Sequence, residues 1–222
     1  MSAVRTTEKQ RQRAPSKRSL ETRARILDAA EWLFAERSFE GASLRDMAKL
    51  AGVHLAQVNF HGGSKEDLFF TVVARRAGEL SDLRLQALDR LKACGQPTVR
   101  GILESFIHPY LDRSAHGGPQ WLAYARLIAH VSADPRWRHI SEACFDPVAT
   151  AFAAEIAALH PGSDERKIAA ALVFSVSAML SLTTSRWRID ALAGSAEAAD
   201  DGFGMETCLV DFCEAGISAV LP

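Results

Sequence analysis

Apolar residues recur at helical spacing along almost the whole chain, and this periodicity constrains its fold more than any other feature. Ile26, Ala30, Leu33 and Phe34, for example, have the spacing that places side chains on one face of a helix. No stretch of the sequence alternates apolar and polar residues between hairpin turns, as a half-buried strand would. The sequence therefore predicts an all-α protein.

Glycine and proline divide the periodic pattern into separate helices. The predicted helices cover residues 20–37, 43–51, 54–61, 64–93, 97–113, 119–132, 138–159, 163–190 and 205–220. Gly41 is expected to turn the chain after the first helix, because glycine tolerates the left-handed backbone that ends many helices. We divide the chain into an arm (residues 1–18), a three-helix head (residues 19–66) and a helical body (residues 67–222).

Charge is distributed unevenly between the front and the back of the chain. Residues 1–65 hold 12 Lys and Arg against 7 Asp and Glu, whereas residues 66–222 hold 14 against 20. A basic front indicates contact with a polyanion, although a solvated basic tail explains the count nearly as well. The arm would either follow the phosphates of a nucleic acid or enter a minor groove, or it is an inert tail.

The composition bears on compartment, metals and membranes. The four cysteines include no CxxC pair and no secretory signal precedes them, so we expect a reduced, cytoplasmic protein. No His and Cys residues have recognised metal-site spacing, and we expect neither a metal nor a cofactor. Residues 168–185 carry no charge over a length near the minimum for crossing a bilayer. Their serines and threonines favour a helix buried by protein on nearly all sides, so no membrane partner is expected.

The middle of the head has the features of two short helices joined by a tight turn. Ser43 begins a capping box in which Asp46 takes the third helical position. Gly52 stands where the backbone must leave the first short helix in a left-handed conformation. Ala48 is small where the second helix must approach closely, and Val58 is apolar where that helix must dock. This pattern predicts a helix-turn-helix, although many helical hairpins share the Ala-x3-Gly-Val spacing.

Three longer strings extend this pattern across residues 26–69. They are ILDAAEWLF from Ile26, the core SxRxMAxxAGV from Ser43, and FHGGSKEDLF from Phe60. Together they closely resemble the DNA-binding domain of the TetR family of transcriptional regulators. The resemblance implies an N-terminal three-helix helix-turn-helix domain joined to a C-terminal helical domain for ligand binding and dimerisation.

The same resemblance implies that the helix at residues 54–61 lies in the DNA major groove. The residues implied to contact DNA are Ser43, Arg45, Leu55, Ala56, Gln57, Asn59, Phe60, His61 and Lys65. Gln57 and Asn59 carry amides that can pair with the edge of an adenine. The positions matching phosphate contacts, which hold register without reading sequence, are Ser43, His61 and Lys65.

Two residues depart from the family's pattern. Asn59 stands where an aromatic residue usually contacts the DNA backbone, and Gly62 replaces an aromatic residue that normally packs into the head. Phe60 or Trp32 is expected to compensate for the aromatic side chain that Gly62 lacks. Two alternatives remain open at this stage: Phe60 is a core residue, and His61 is a capping or surface residue.

In the body, the resemblance implies a pocket for a small-molecule effector, of acyl or aromatic type, and a dimer interface. The expected pocket residues are Phe106, Tyr110, Trp121, Tyr124, Arg126, His130 and Phe145. The expected interface residues of a homodimer are Val173, Val176, Leu180, Leu209, Phe212 and Ile217. The alternatives are an ordinary aromatic core for the first set and burial within one subunit for the second.

The implied function is sequence-specific binding to double-stranded DNA with a palindromic operator, as a repressor that a small apolar ligand releases. An enzyme is disfavoured: the string His61-Gly-Gly resembles an esterase oxyanion loop, but the Gly-x-Ser-x-Gly elbow is absent from the sequence. We therefore expect no catalytic residues. The remaining alternative is a helical interaction module that has lost specific DNA binding.

Overall fold

The computed structural model describes residues 16–194 and 202–222, and within them the chain forms helices and no strand. The helices of the head are α1 (Lys17–Gly41), α2 (Leu44–Ala51) and α3 (Leu55–Gly62). The body contains α4 (Lys65–Ala93), α5 (Val99–His116), α6 (Pro119–Ala133), a 3-10 helix (Pro135–Trp137), α7 (Arg138–Cys144), α8 (Asp146–Leu159), α9 (Glu165–Thr184), α10 (Arg186–Ala193) and α11 (Gly202–Val220). The all-α prediction is confirmed. Residues 1–15, most of the predicted arm, lie outside the described residues.

Two helices that were predicted to be continuous are each broken once. α7 and α8 meet at Phe145, because Pro147 takes the first turn of a new helix, where its missing N–H costs no hydrogen bond. α9 and α10 meet at Ser185, which leaves helical geometry with φ −127° and ψ 16°. The continuous helices predicted for residues 138–159 and 163–190 are therefore wrong.

The kink near the end of α1 lies at Ser38, not at Gly41 as predicted. Ser38 has φ 59° and ψ 177°, a region that residues with a side chain rarely adopt and that costs about 1–3 kcal/mol. The kink turns Phe39 back towards the body, so that its ring centroid lies 5.3 Å from that of Phe69 and 4.8 Å from that of Trp137. The packing of Phe39 stabilises the strained backbone.

The head folds around the apolar stripe of α1, as the periodicity predicts. Ile26 and Phe34 are fully buried against Met47 of α2 and Val58 of α3, which are also inaccessible to solvent. Gly52 ends α2 with φ 65° and ψ 42°, the left-handed conformation expected of it. This turn sets the direction in which α3 leaves α2, and so positions α3 at the surface of the head.

One hydrophobic cluster extends from the head through the body. Leu68, in the first turn of α4, closes the head core, and Leu80 on the same helix is buried in the body. α5 and α6 pack on α4, and the cluster continues to Ile217 of α11. α4 therefore belongs to both cores.

Helix α9, which contains nearly all of the uncharged stretch of residues 168–185, is buried on one side, not on nearly all sides as predicted. By length and composition the helix Glu165–Thr184 could span a membrane, since its mean hydropathy is 1.6 over a stretch of 18 residues. Of that stretch, 33% is buried within the protein. It packs instead on α6, α8 and α11, while Val173 and Phe174 are 60% and 70% exposed. This is the arrangement of a core helix with one open apolar face.

Candidate functional site

The first candidate site is the outer surface of α3, which two short-range features hold in place. Val58 is fully buried against the head core and fixes one face of the helix. At its start, the backbone N–H of His54 donates to Oε1 of Gln57 at 3.3 Å, which satisfies one of the free amides of a helix N-terminus. The opposite face of α3 is consequently fixed in an outward orientation.

Five of the residues predicted to contact DNA lie together on α3 and are exposed: Leu55, Ala56, Gln57, Asn59 and Phe60. Phe60 is 81% exposed, so the alternative that it is a core residue is wrong. Its ring lies outside the core and contacts the neighbouring His61 ring edge-on, with the centroids 5.0 Å apart. The surface of α3 therefore offers both amide groups and an apolar ring to a partner.

The gap beside Gly62 is filled by a residue that the sequence did not indicate. Gly62 is buried, and a Cβ placed there would lie 2.9 Å from Cδ1 of Leu68. The expected compensation by Phe60 or Trp32 is wrong, because both side chains are exposed, Trp32 by 42%. Leu68 of α4 occupies the space that an aromatic side chain would need.

The remaining predicted contacts lie at helix starts or beside α3 and differ in how free their side chains are. The Ser43 hydroxyl caps α2, accepting from the backbone N–H of Asp46 at 3.1 Å and donating to Oδ2 of the same residue at 2.8 Å. Arg45 is exposed and His61 is half-buried. The Lys65 ammonium donates to the backbone oxygen of Glu40 at 3.4 Å and lies 4.4 Å from the Phe39 ring centroid. Arg45 is thus the least constrained cation of this set.

Sequence reasoning missed a basic groove beside α3. A depression of about 520 Å³ is lined by Arg18 and Arg25 of α1 and by Lys49 of α2. The two arginines are seven positions apart and lie on the same face of α1. His54 and Gln57 of α3 form its other side. The spacing of Arg18 and Arg25 was the available signal, since residues seven apart share a helix face. A groove with three cations is suited to a phosphate backbone.

Buried ion pairs connect the head to the body. Glu31 of α1 is fully inaccessible to solvent, yet it accepts hydrogen bonds at 3.0 Å from both Arg75 and Arg76 of α4. Arg75 also pairs with Asp28 at 2.6 Å. Burial raises the pKa of Glu31, although the hydrogen bond and charge of Arg76 oppose that change. The network fixes the first half of α4 relative to α1.

The second candidate site is a cavity of about 220 Å³ in the body, bounded by α4 to α9. Three of the predicted pocket residues line it: Phe106, Tyr124 and Phe145. The wall is mostly apolar, with Arg84 of α4 and Tyr124 of α6 as its buried polar side chains. The Nε of Arg84 donates to the backbone oxygen of Phe106 at 2.8 Å. Such a cavity suits a small apolar ligand with a polar end.

The structure places the other four predicted pocket residues elsewhere. Tyr110 is buried and its hydroxyl is hydrogen-bonded to Oγ1 of Thr183 at 2.8 Å. Trp121 packs beneath guanidinium groups, and Arg126 pairs with Glu36 of α1 at 3.1 Å. His130 lines a separate groove between the kink of α1 and the 3-10 helix. None of the four lines the cavity.

The predicted interface residues divide into two groups. Leu180, Leu209 and Ile217 are buried within the subunit, because α9 and α11 pack on each other through them. Val173 and Phe212 are 60% and 71% exposed. Val176 is half-buried and lines the cavity. The open apolar face of α9 and α11 therefore consists of Val173, Phe174 and Phe212 with small residues around them.

Comparison with known families gives two matches along the chain. The model described as "Bacterial regulatory proteins, tetR family" matches residues 26–72, which include the whole of α2 and α3. The model described as "Tetracyclin repressor-like, C-terminal domain" matches residues 104–216, just over half of the chain. The first match covers most of the head and the first turns of α4, and the second lies within the body.

Individual proteins are also similar to this chain. The HTH-type transcriptional repressor BepR of Brucella suis biovar 1 (strain 1330) is 37% identical over 67 residues, which cover 30% of this chain and about a third (32%) of BepR. The regulator FadR of Bacillus subtilis, solved in complex with stearoyl-CoA, superposes with a TM-score of 0.64 at 16% identity, covering 87% of this chain and 98% of FadR. A regulatory protein in the tetR family from Rhodococcus RHA1 gives 0.63 at 19% identity, covering 91% and 98%. At these identities the two structures show a shared fold.

Proposed function

The chain belongs to the TetR family of bacterial regulatory proteins, and from this premise we propose that it is a transcriptional repressor released from its operator by a small ligand. It is a transcriptional regulator with a DNA-binding helix-turn-helix and not an enzyme. The observation that carries the proposal is the outward face of α3, where Asn59 and Phe60 are exposed without serving the fold. In the proposal this cytoplasmic protein reads a major groove with that face.

The proposal includes a homodimer on a palindromic operator. Val173, Phe174 and Phe212 leave an apolar face of α9 and α11 in water, which favours burial against a second copy. A two-fold dimer presents two copies of α3, and its symmetry matches a palindromic site.

Release by ligand requires a physical link between the cavity and α3, and α4 supports one. The first turn of α4 packs in the head through Leu68, which contacts the Gly62 end of α3. Farther along, Leu80 and Arg84 of the same helix line the cavity. A ligand that displaces α4 would change the separation of the two heads. Couplings of this kind are typically about 1–3 kcal/mol and act equally in both directions.

The test begins by selecting bound duplexes from a random pool and measuring affinity for the selected duplex against salt concentration. A repressor is expected to prefer a palindrome and to lose affinity steeply as salt rises. Asn59→Ala should cost about 1–3 kcal/mol and relax the preference at one base pair per half-site. Arg45→Ala should instead weaken all duplexes alike and lower the salt slope by about one per contact.

Asn59 is a sharper test than Gln57, because Gln57 also caps α3 and its loss would alter the helix itself. Equal weak binding of every duplex by the folded wild-type protein would contradict the proposal and favour a helical interaction module. If Asn59→Ala leaves the preference unchanged, the assignment of this residue as a base reader is wrong.

A further inference from the structure

The wall of the body cavity contains a buried cation without an anionic partner. Arg84 is 6% exposed, and no carboxylate of the described residues lies within 4.0 Å of its guanidinium. Its contacts are the backbone oxygen of Phe106, the sulfur of Met179 at 3.6 Å and the face of the Phe106 ring at 3.7 Å. Burial lowers the pKa of Arg84 to about 10, so the side chain still carries its charge at neutral pH.

A second polar group in the same wall is also unsatisfied. Tyr124 is fully buried, and its hydroxyl oxygen has no hydrogen-bond partner in the described part of the chain. The nearby Tyr110, equally buried, has its hydroxyl bonded to Thr183. Buried hydroxyl groups nearly always find a partner, so the free Tyr124 hydroxyl is an independent sign of a missing group.

The acids of this region do not supply that group. Asp146 lines the cavity at its exposed rim but forms no ion pair with Arg84. Glu31 is engaged by Arg75 and Arg76. Buried charges in proteins are normally paired, because desolvation of a lone ion is costly. Among its buried side chains, the cavity wall therefore has one cationic group and one hydroxyl donor available to an anion.

The other residues of the wall indicate the size and polarity of the rest of the ligand. Phe106, Ile128, Phe145, Leu172 and Val176 supply an apolar lining. The volume of about 220 Å³ is below the roughly 300–1,000 Å³ of pockets for drug-sized ligands. The occupant is consequently small, with one anionic end and an apolar remainder.

We propose that this cavity binds a small monocarboxylate, whose carboxylate pairs with the guanidinium of Arg84 and accepts a hydrogen bond from the Tyr124 hydroxyl. A planar guanidinium offers parallel N–H groups that match a carboxylate, and such charged hydrogen bonds are stronger than neutral ones. The proposal names the chemical class of the effector and in that respect rests on the proposed function.

Binding calorimetry on the full chain with two isosteric pairs of probes tests this. The pairs are hexanoate with hexanamide and benzoate with benzamide, which differ in charge but hardly in size. We expect each acid to bind at least about tenfold more tightly than its amide, which corresponds to about 1.4 kcal/mol. Arg84→Met should abolish that preference, and Tyr124→Phe should weaken the acids by about tenfold.

Arg126→Met is the matched control, because Arg126 also lies on a body helix but pairs with Glu36 outside the cavity. It should leave the preference for acids intact. Equal affinity for acid and amide, or no binding of either pair at millimolar concentration, overturns the proposal even if Arg84→Met fails to fold, since that result needs only the wild-type protein.

A parallel measurement of operator affinity separates this proposal from the proposed function. If an acid binds in the predicted manner and operator affinity is unchanged, the ligand class stands and release by ligand is wrong. If the operator is bound specifically and acids are not preferred, the DNA-binding function stands and the ligand class is wrong.

Discussion

Two buried charged side chains of this protein differ in how they are compensated. Glu31, between head and body, is surrounded by the guanidinium groups of Arg75 and Arg76 at 3.0 Å. Arg84, two helical turns farther along α4, has only a backbone oxygen, a sulfur and an aromatic ring. Both charges lie on the interface of α4 with its neighbours, so their positions alone do not distinguish them.

The difference in partners indicates which buried charge stabilises the fold and which is available to a ligand. A paired buried charge stabilises the native arrangement only as long as all partners are present. An unpaired one is costly to the empty protein, and that cost is removed when a counter-ion arrives. We expect Glu31 to stabilise the contact between head and body, and Arg84 to bind a ligand.

The largest expected effect on stability comes from removing the carboxylate of Glu31. Glu31→Ala should lower the free energy of unfolding by about 3 kcal/mol, because the mostly buried Arg76 would lose its close partner and keep only Glu79 at 3.9 Å, while Arg75 would keep only Asp28. Chemical denaturation measures the loss. Glu36→Ala is the control on the same helix: its pair with Arg126 is exposed, and its removal should cost less than about 1 kcal/mol. Equal losses for the two variants would show that burial of the Glu31 pairs is unimportant.

Effects of intermediate size are expected at the two buried tyrosines, where removing the hydroxyl should change the free energy of unfolding in opposite directions. Tyr124→Phe removes an unsatisfied hydroxyl and should raise the free energy of unfolding by about 1 kcal/mol. Tyr110→Phe removes the hydrogen bond to Thr183 and should lower it by about 1 kcal/mol. Thermal unfolding of both variants checks this, and a loss of stability for Tyr124→Phe would mean that its hydroxyl has a partner in solution.

The smallest effect is expected for the unpaired charge itself. Arg84→Met should change the free energy of unfolding of the empty protein by less than about 1 kcal/mol, because relief from burying a charge offsets the lost contacts with Phe106. Urea titration without ligand measures it. A loss as large as that of Glu31→Ala would make Arg84 a structural residue and would break the comparison.

The head was more predictable from the sequence than the body, and the reason is the range of the interactions. The left-handed turn at Gly52, the cap at Ser43 and the inward face of α3 each depend on residues within a few positions. The body cavity joins Arg84 to Met179, which are 95 positions apart. No local pattern distinguishes Arg84 from Arg75, so its role emerges only when the helices are packed.

Where local reasoning failed in the head, packing from the body was responsible. The turn was assigned to Gly41 because glycine is the usual residue there, yet Ser38 adopts the strained conformation so that Phe39 can reach Trp137. The gap at Gly62 was assigned to an aromatic residue of the head, yet Leu68 of α4 fills it. Both errors involve contacts across the boundary between the two parts.

We expect that shared boundary to determine how the molecule unfolds. The hydrophobic cluster runs without interruption from Ile26 in α1 to Ile217 in α11, and Phe69 and Trp137 lie where head and body meet. Removing either part would expose the apolar surface of the other. We therefore expect that the three-helix head does not fold on its own, and that the described helices of one subunit melt in a single cooperative transition in a calorimetric scan.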